Sequence, residues 1–139
     1  MVLCRDRVEA TWRDLMPAAY AIAHLRTPNL HPEVLEYMEK IQATLEPFSG
    51  RFLVHGGEVQ AKEGAWPGTL VVIEFPGIAE ANGWYDSPAY QEILPLRTKN
   101  IDGEAIVVEG VERGHDSATM AAELRRQAAV GTDAPSSGC

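Results

Sequence analysis

Cysteine is scarce in this chain. Its two copies, Cys4 and Cys139, lie near opposite ends of 139 residues. Neither forms a Cys-x-x-Cys pair or stands at metal spacing from a histidine, which excludes a zinc module or a disulfide framework as the basis of the fold. Basic residues are also few: Lys and Arg total 12 against 20 Asp and Glu, for a formal net charge of −8. Nucleic acids and anionic membrane surfaces call for a basic patch, so neither is an expected partner. No apolar run is long enough to span a bilayer. The opening Met1-Val2-Leu3-Cys4-Arg5-Asp6-Arg7 lacks the apolar core of a signal peptide, and the expected location is the cytoplasm. Phosphate-binding glycine loops, His-Glu-x-x-His and the Gly-x-Ser-x-Gly elbow are missing as well. The composition calls for no cofactor and no metal.

What remains is an ordinary globular composition, 45% hydrophobic and 23% charged, in a chain of one-domain size. Its most informative stretch is Trp84-Tyr85-Asp86-Ser87-Pro88-Ala89-Tyr90-Gln91. Ser87 suits a helix N-cap and Pro88 suits the first helical position, so this is a helix start loaded with aromatics.

Around it the pattern predicts a strand over 18–26, then a helix from Glu33 to about Glu46 with a stripe of Val34, Leu35, Met38, Ile41, Gln42 and Leu45. Arg51 to His55 reads as a second strand, continued over 58–62, with a bulge or kink at Gly56-Gly57. The apolar run Thr69 to Phe75 reads as a third strand. A short helix over 78–85 continues from Pro88, and Pro95 should kink it or end it early. Gly103 to Val111 reads as the fourth strand.

The order strand, helix, strand, strand, helix, strand is the ferredoxin-like, split βαβ arrangement, an α+β fold with a four-stranded antiparallel sheet and two helices on one face. Strands three and four are apolar on both sides, so the second sheet face needs cover, and a second copy of the chain is the simplest source. Residues 1–17 are expected to be an N-terminal extension with helical spacing over 5–16, ahead of a domain over 18–112. Residues 113–139 are expected to form a C-terminal extension, a short helix over 117–128 followed by a flexible tail.

Five segments together closely resemble the family called domain of unknown function 1330. They are Gly50-Arg51-Phe52-Leu53-Val54-His55-Gly56-Gly57, Leu70 to Pro76, Trp84 to Tyr90, Pro95-Leu96-Arg97 and Ile106-Val107-Val108-Glu109-Gly110. The resemblance runs from about Ala18 to Val111. It implies the dimeric α/β-barrel superfamily, in which two ferredoxin-like chains pair their sheets. That superfamily holds small monooxygenases, isomerases, dehydratases and haem-degrading enzymes beside members without known activity. The family itself brings no established catalytic residues. Both cysteines lie outside the resemblance, which argues against a cysteine nucleophile.

Four groups of residues are candidates for chemistry. His24 and Glu74 fall in neighbouring strands and would suit a general base and its orienter, or a structural pair. Arg51 and His55 share a parity in strand two and so one expected sheet face. Trp84, Tyr85 and Tyr90 would line a pocket for a planar molecule or fill the core. Arg97 would clamp a substrate carboxylate with its planar fork or pair with a surface acid. The candidate catalytic set is therefore His24, Glu74 and His55, and the candidate binding set is Arg51, Trp84, Tyr85, Tyr90 and Arg97. Three functions follow: a small cofactor-free enzyme acting on an organic acid or aromatic, a non-catalytic small-molecule-binding or accessory homodimer, or, by superfamily analogy, a haem-binding or monooxygenase-like protein.

Overall fold

Strand β1, Ala19–Leu25, runs through the middle of a four-stranded sheet. It pairs antiparallel with β3, Thr69–Phe75, on one side and with β4, Gly103–Glu109, on the other. Strand β2, Arg51–His55, pairs antiparallel with β3 at the far edge, so the order is β2-β3-β1-β4. This is the ferredoxin-like fold that the element order predicts. The computed structural model describes residues 17–130. The helical spacing over 5–16 and the polar tail after 130 lie outside the described residues.

Helix α1, Pro32–Leu45, starts on its own side-chain cap: His31 Nδ1 accepts from the Glu33 amide at 3.0 Å, and Pro32 occupies the first turn. Helices α2, Ile78–Asp86, and α3, Pro88–Thr98, are one predicted helix in two pieces, broken at Ser87. Ser87 caps α3 by accepting from the Tyr90 amide at 3.3 Å, as the Ser-Pro pair predicts. Pro95 does not end α3, which runs on to Thr98. The proline sits in the closing turns, where little of the helical ladder remains to be lost. A fourth helix, α4, spans Ser117–Val130 and buries none of its residues.

Three expectations about β2 are corrected. The strand does not continue over 58–62 but ends at His55. Gly56 takes a φ of +80°, and its amide bonds Leu70 O at 3.1 Å as the chain turns off the ladder. The bulge lies earlier than Gly56-Gly57, between Phe52 and Val54, where the register with β3 shifts. The extra residue reverses the side-chain alternation. Arg51 therefore stands opposite Glu74 and His55 opposite Val71, on opposite faces of the sheet rather than on one.

The returning β2–β3 loop crosses the end of β1 so closely that only glycine fits. Gly68 has a φ of +87°, and a Cβ there would come within 1.9 Å of Leu25 O.

The core lies between the sheet and α1–α3. It gathers Phe75, Ile73 and Ala19 from the strands, Ile41 and Leu45 from α1, and Trp84, Tyr90 and Ile93 from α2 and α3. Trp84 is its hub, with its ring 4.1 Å from Tyr90 and 5.4 Å from Phe75 and its Nε1–H donated to Thr44 Oγ1 at 2.9 Å. The buried stripe of α1 is Val34, Tyr37, Ile41, Thr44 and Leu45. Leu35, Met38 and Gln42 of the predicted stripe are exposed, because the helix is rotated by about one position from that reading.

Among the described residues nothing covers the opposite sheet face. Across all four strands the register aligns Val54, Val72, Ile22 and Ile106 in one β-branched row. The row beside it carries Glu74, Tyr20 and Val108, and on the other side lie Leu70, His24 and Glu104. Ile106 is 55% exposed and Val108 42%.

Candidate functional site

Helix α1 packs mainly on α3 and stands off the sheet, where β1 offers the small side chains Ala19, Ala21 and Ala23, followed by Leu25 at its end, on its helix-facing side. The result is a cavity of about 760 Å³ between α1, α3 and the strands. That is the size of a small-molecule site. Its walls are mostly apolar: Val34, Ile41, Phe52, Val71 and Ile73 contribute, with Met38 and Leu30 toward the outside. No Asp or Glu lines it, although the chain carries 20 of them.

Into this cavity α3 projects Arg97, only 7% exposed. Its guanidinium donates to Tyr90 Oη at a long 3.5 Å and lies over the Tyr37 ring, 5.5 Å from the centroid. Among the described residues no carboxylate pairs with it. Tyr90 Oη and Tyr37 Oη are themselves hydrogen-bonded at 2.6 Å, joining α3 to α1 across the cavity wall. Burial, then the neighbouring Tyr90, pushes the Tyr37 hydroxyl far above the usual phenol range, so Tyr37 stays a neutral donor. Burial works against the charge of Arg97, but the two tyrosines outweigh it and its pKa shifts upward. The cation therefore persists in an apolar wall. Thr69 contributes a buried hydroxyl with no partner among the described residues, also at the cavity.

The predicted site residues divide between two faces. Arg97, Tyr90, Trp84 and Tyr85 all border the cavity, Tyr90 and Trp84 while also filling the core. Arg97 is thus not the surface residue that one reading of the sequence allows. His55 reaches the cavity rim from β2, exposed, with its ring stacked on Phe52 at 4.1 Å. His24, Glu74 and Arg51 lie on the other face of the sheet. There Arg51 Nε donates to Glu74 Oε1 at 2.8 Å.

His24 sits four residues along β1 from the residue opposite Glu74, and the two do not meet. It stacks on Trp66 at 4.0 Å and its Nε2 bonds Pro67 O at 2.6 Å. A carbonyl only accepts, so the proton is on Nε2 and His24 pins the β2–β3 loop. His55 is on the opposite face from Glu74, so no histidine–carboxylate pair is assembled from the three candidates. Among the described residues no three His, Cys, Asp or Glu side chains gather as metal ligands, and no helix is long and apolar enough to cross a membrane.

Tyr37, which lines the cavity, is missing from the sequence reading. Its signal was its spacing, three after Val34 and four before Ile41, both buried on the same helix face.

Among solved structures, a protein of unknown function from Rhodopseudomonas palustris superposes with a TM-score of 0.53 at 17% identity, over 76% of this chain and 93% of that one. The methylated form of that protein gives 0.51 at 16% identity, over 78% and 93%. A dimeric protein of unknown function with a ferredoxin-like fold, from Bacteroides fragilis, gives 0.40 at 14% identity, over 67% and 96%. At these identities the first two establish likeness of fold. No curated protein matches the chain. The sequence profile of one family spans residues 18–111, the stretch that carries all four strands and the cavity, and the chain accordingly belongs to the family described as domain of unknown function 1330 (DUF1330).

Proposed function

We propose that the protein is a homodimer whose subunits each bind a small, largely apolar molecule in the cavity beneath α1, without performing chemistry on it. The observation that carries this reading is the separation of the pocket from His24 and Glu74, which leaves His55 at the rim with no carboxylate on the cavity wall. The cavity has the volume and apolar lining of a binding site, while His24 and Glu74 lie on the far sheet face, each engaged by a neighbour.

The homodimer rests on that far face. Its centre is the β-branched row Val54-Val72-Ile22-Ile106, and charged or polar residues (Arg51, Glu74, His24, Glu104) border it. An apolar centre with a polar rim is the anatomy of a protein interface. A second copy, laying the same row against this one, covers both sheets at once.

A thermal-shift screen of the full chain against small anionic, neutral and cationic compounds tests the reading. A ligand at one hundred times its Kd stabilises a fold by about 2.7 kcal/mol, enough to raise the midpoint by several degrees. Anionic or neutral apolar compounds should raise it and be recovered unchanged by mass spectrometry. Recovery of a product would contradict the non-catalytic reading, and a flat screen would contradict binding altogether.

A further inference from the structure

The proposed binding role leaves the class of ligand open, and the polar end of the cavity narrows it. We propose that the ligand is a monocarboxylate with an apolar body, its carboxylate held by Arg97 and by the hydroxyl pair Tyr37–Tyr90. This inference rests on the cavity being a small-molecule site.

Three observations converge. First, Arg97 is 93% buried, by its 7% exposure, and no acidic side chain lines the cavity. A buried cation is costly unless something of opposite charge pairs with it, so the site is complementary to an anion and rejects cations. Second, the phenol pair has one proton more than it uses. Arg97 can only donate, so Tyr90 Oη accepts from it. If Tyr90 then donates to Tyr37 Oη across their 2.6 Å contact, the Tyr37 proton is free. If the donation runs the other way, the Tyr90 proton is free instead. Either arrangement offers one hydroxyl donor beside the guanidinium fork, matching the two oxygens of a carboxylate. Third, the anion should carry a single charge. Apart from Arg97, the only titratable cation at the cavity among the described residues is His55, exposed at the rim, so a phosphate dianion would lack its second counter-charge. The rest of the lining is mostly apolar, Thr69, Asn29 and Asn82 being its polar members, and takes a hydrocarbon or aromatic body toward Met38 and Leu30.

The test is calorimetric titration of the full chain with phenylacetate and octanoate, with their amides, and with inorganic phosphate. The carboxylates should bind about tenfold to a hundredfold more tightly than the amides, the span expected when a hydrogen bond gains a full charge. Phosphate should bind more weakly than either carboxylate. Arg97→Met should erase the preference for carboxylate over amide, and the double variant Tyr37→Phe, Tyr90→Phe, which removes both hydroxyl protons, should narrow it about tenfold in a protein whose charge is unchanged. The second variant decides the question should the first fail to fold. Equal affinity for carboxylates and amides would overturn the assignment while leaving the cavity a small-molecule site. So would tighter binding of phosphate. Failure of every probe to bind would overturn both.

Discussion

Ile106→Asp should convert the protein to a monomer. Ile106 lies in the central row of the uncovered sheet face and is 55% exposed in the single chain, so a carboxylate there costs the subunit fold little. In a dimer closed on that face the same carboxylate would be stripped of water next to Ile22 and, by symmetry, near its own copy. Residues at the centre of an interface commonly contribute about 2–4 kcal/mol each, and two-fold symmetry counts the change twice. The dimer should weaken by roughly a thousandfold or more. Sedimentation velocity at micromolar concentration should show one dimeric species for the native chain and one monomeric species for the variant, with unchanged circular dichroism. A variant that remains dimeric would place the interface elsewhere.

Arg97→Met should stabilise the unliganded protein, an unusual direction for a change in a core. The guanidinium sits in an apolar wall with no carboxylate partner among the described residues, held by a 3.5 Å hydrogen bond to Tyr90 and by Tyr37, whose ring it overlies. Replacing buried charged groups by apolar side chains of similar volume has stabilised proteins by about 1–4 kcal/mol. Against this stands the lost cation–π contact, about 0.5–2 kcal/mol. The expected net is a gain of about 1 kcal/mol, a few degrees in the melting midpoint of a domain this size. The native residue is then one that lowers stability in exchange for binding, as functional residues often do. A clear loss of stability in the ligand-free variant would mean that Arg97 is a structural member of the core.

Element order and capping were legible because their signals are local. Ser87-Pro88 announces a helix start whatever surrounds it, and the run Thr69 to Phe75 is apolar enough to mark a central strand. The β2 bulge was not legible, since Arg51-Phe52-Leu53-Val54-His55 contains no glycine or proline to mark it. Only pairing with β3 shows that one residue is extra, and that residue moves His55 to the face opposite Arg51. Arg97, Trp84, Tyr85 and Tyr90 could be singled out as binding candidates by type, but their grouping depends on α1 meeting α3. Tyr37 was hidden because an aromatic with a hydroxyl does not stand out in a stripe read from leucines and methionines. The cavity itself leaves one faint mark in the sequence, the alternate alanines Ala19, Ala21 and Ala23 of β1. Small residues on the helix-facing side of a central strand either draw a helix closer or leave room beneath it, and the sequence alone does not say which.

In the proposed complex Arg97 holds the anionic end of the ligand inside the fold. A crystal structure of the full chain with bound phenylacetate tests it most directly. The carboxylate should lie within about 2.7–2.9 Å of the Arg97 guanidinium, with one oxygen on a tyrosine hydroxyl of the Tyr37–Tyr90 pair and the ring directed toward Met38. A carboxylate left in solvent at the cavity mouth, with Arg97 still bonded to Tyr90 alone, would contradict it.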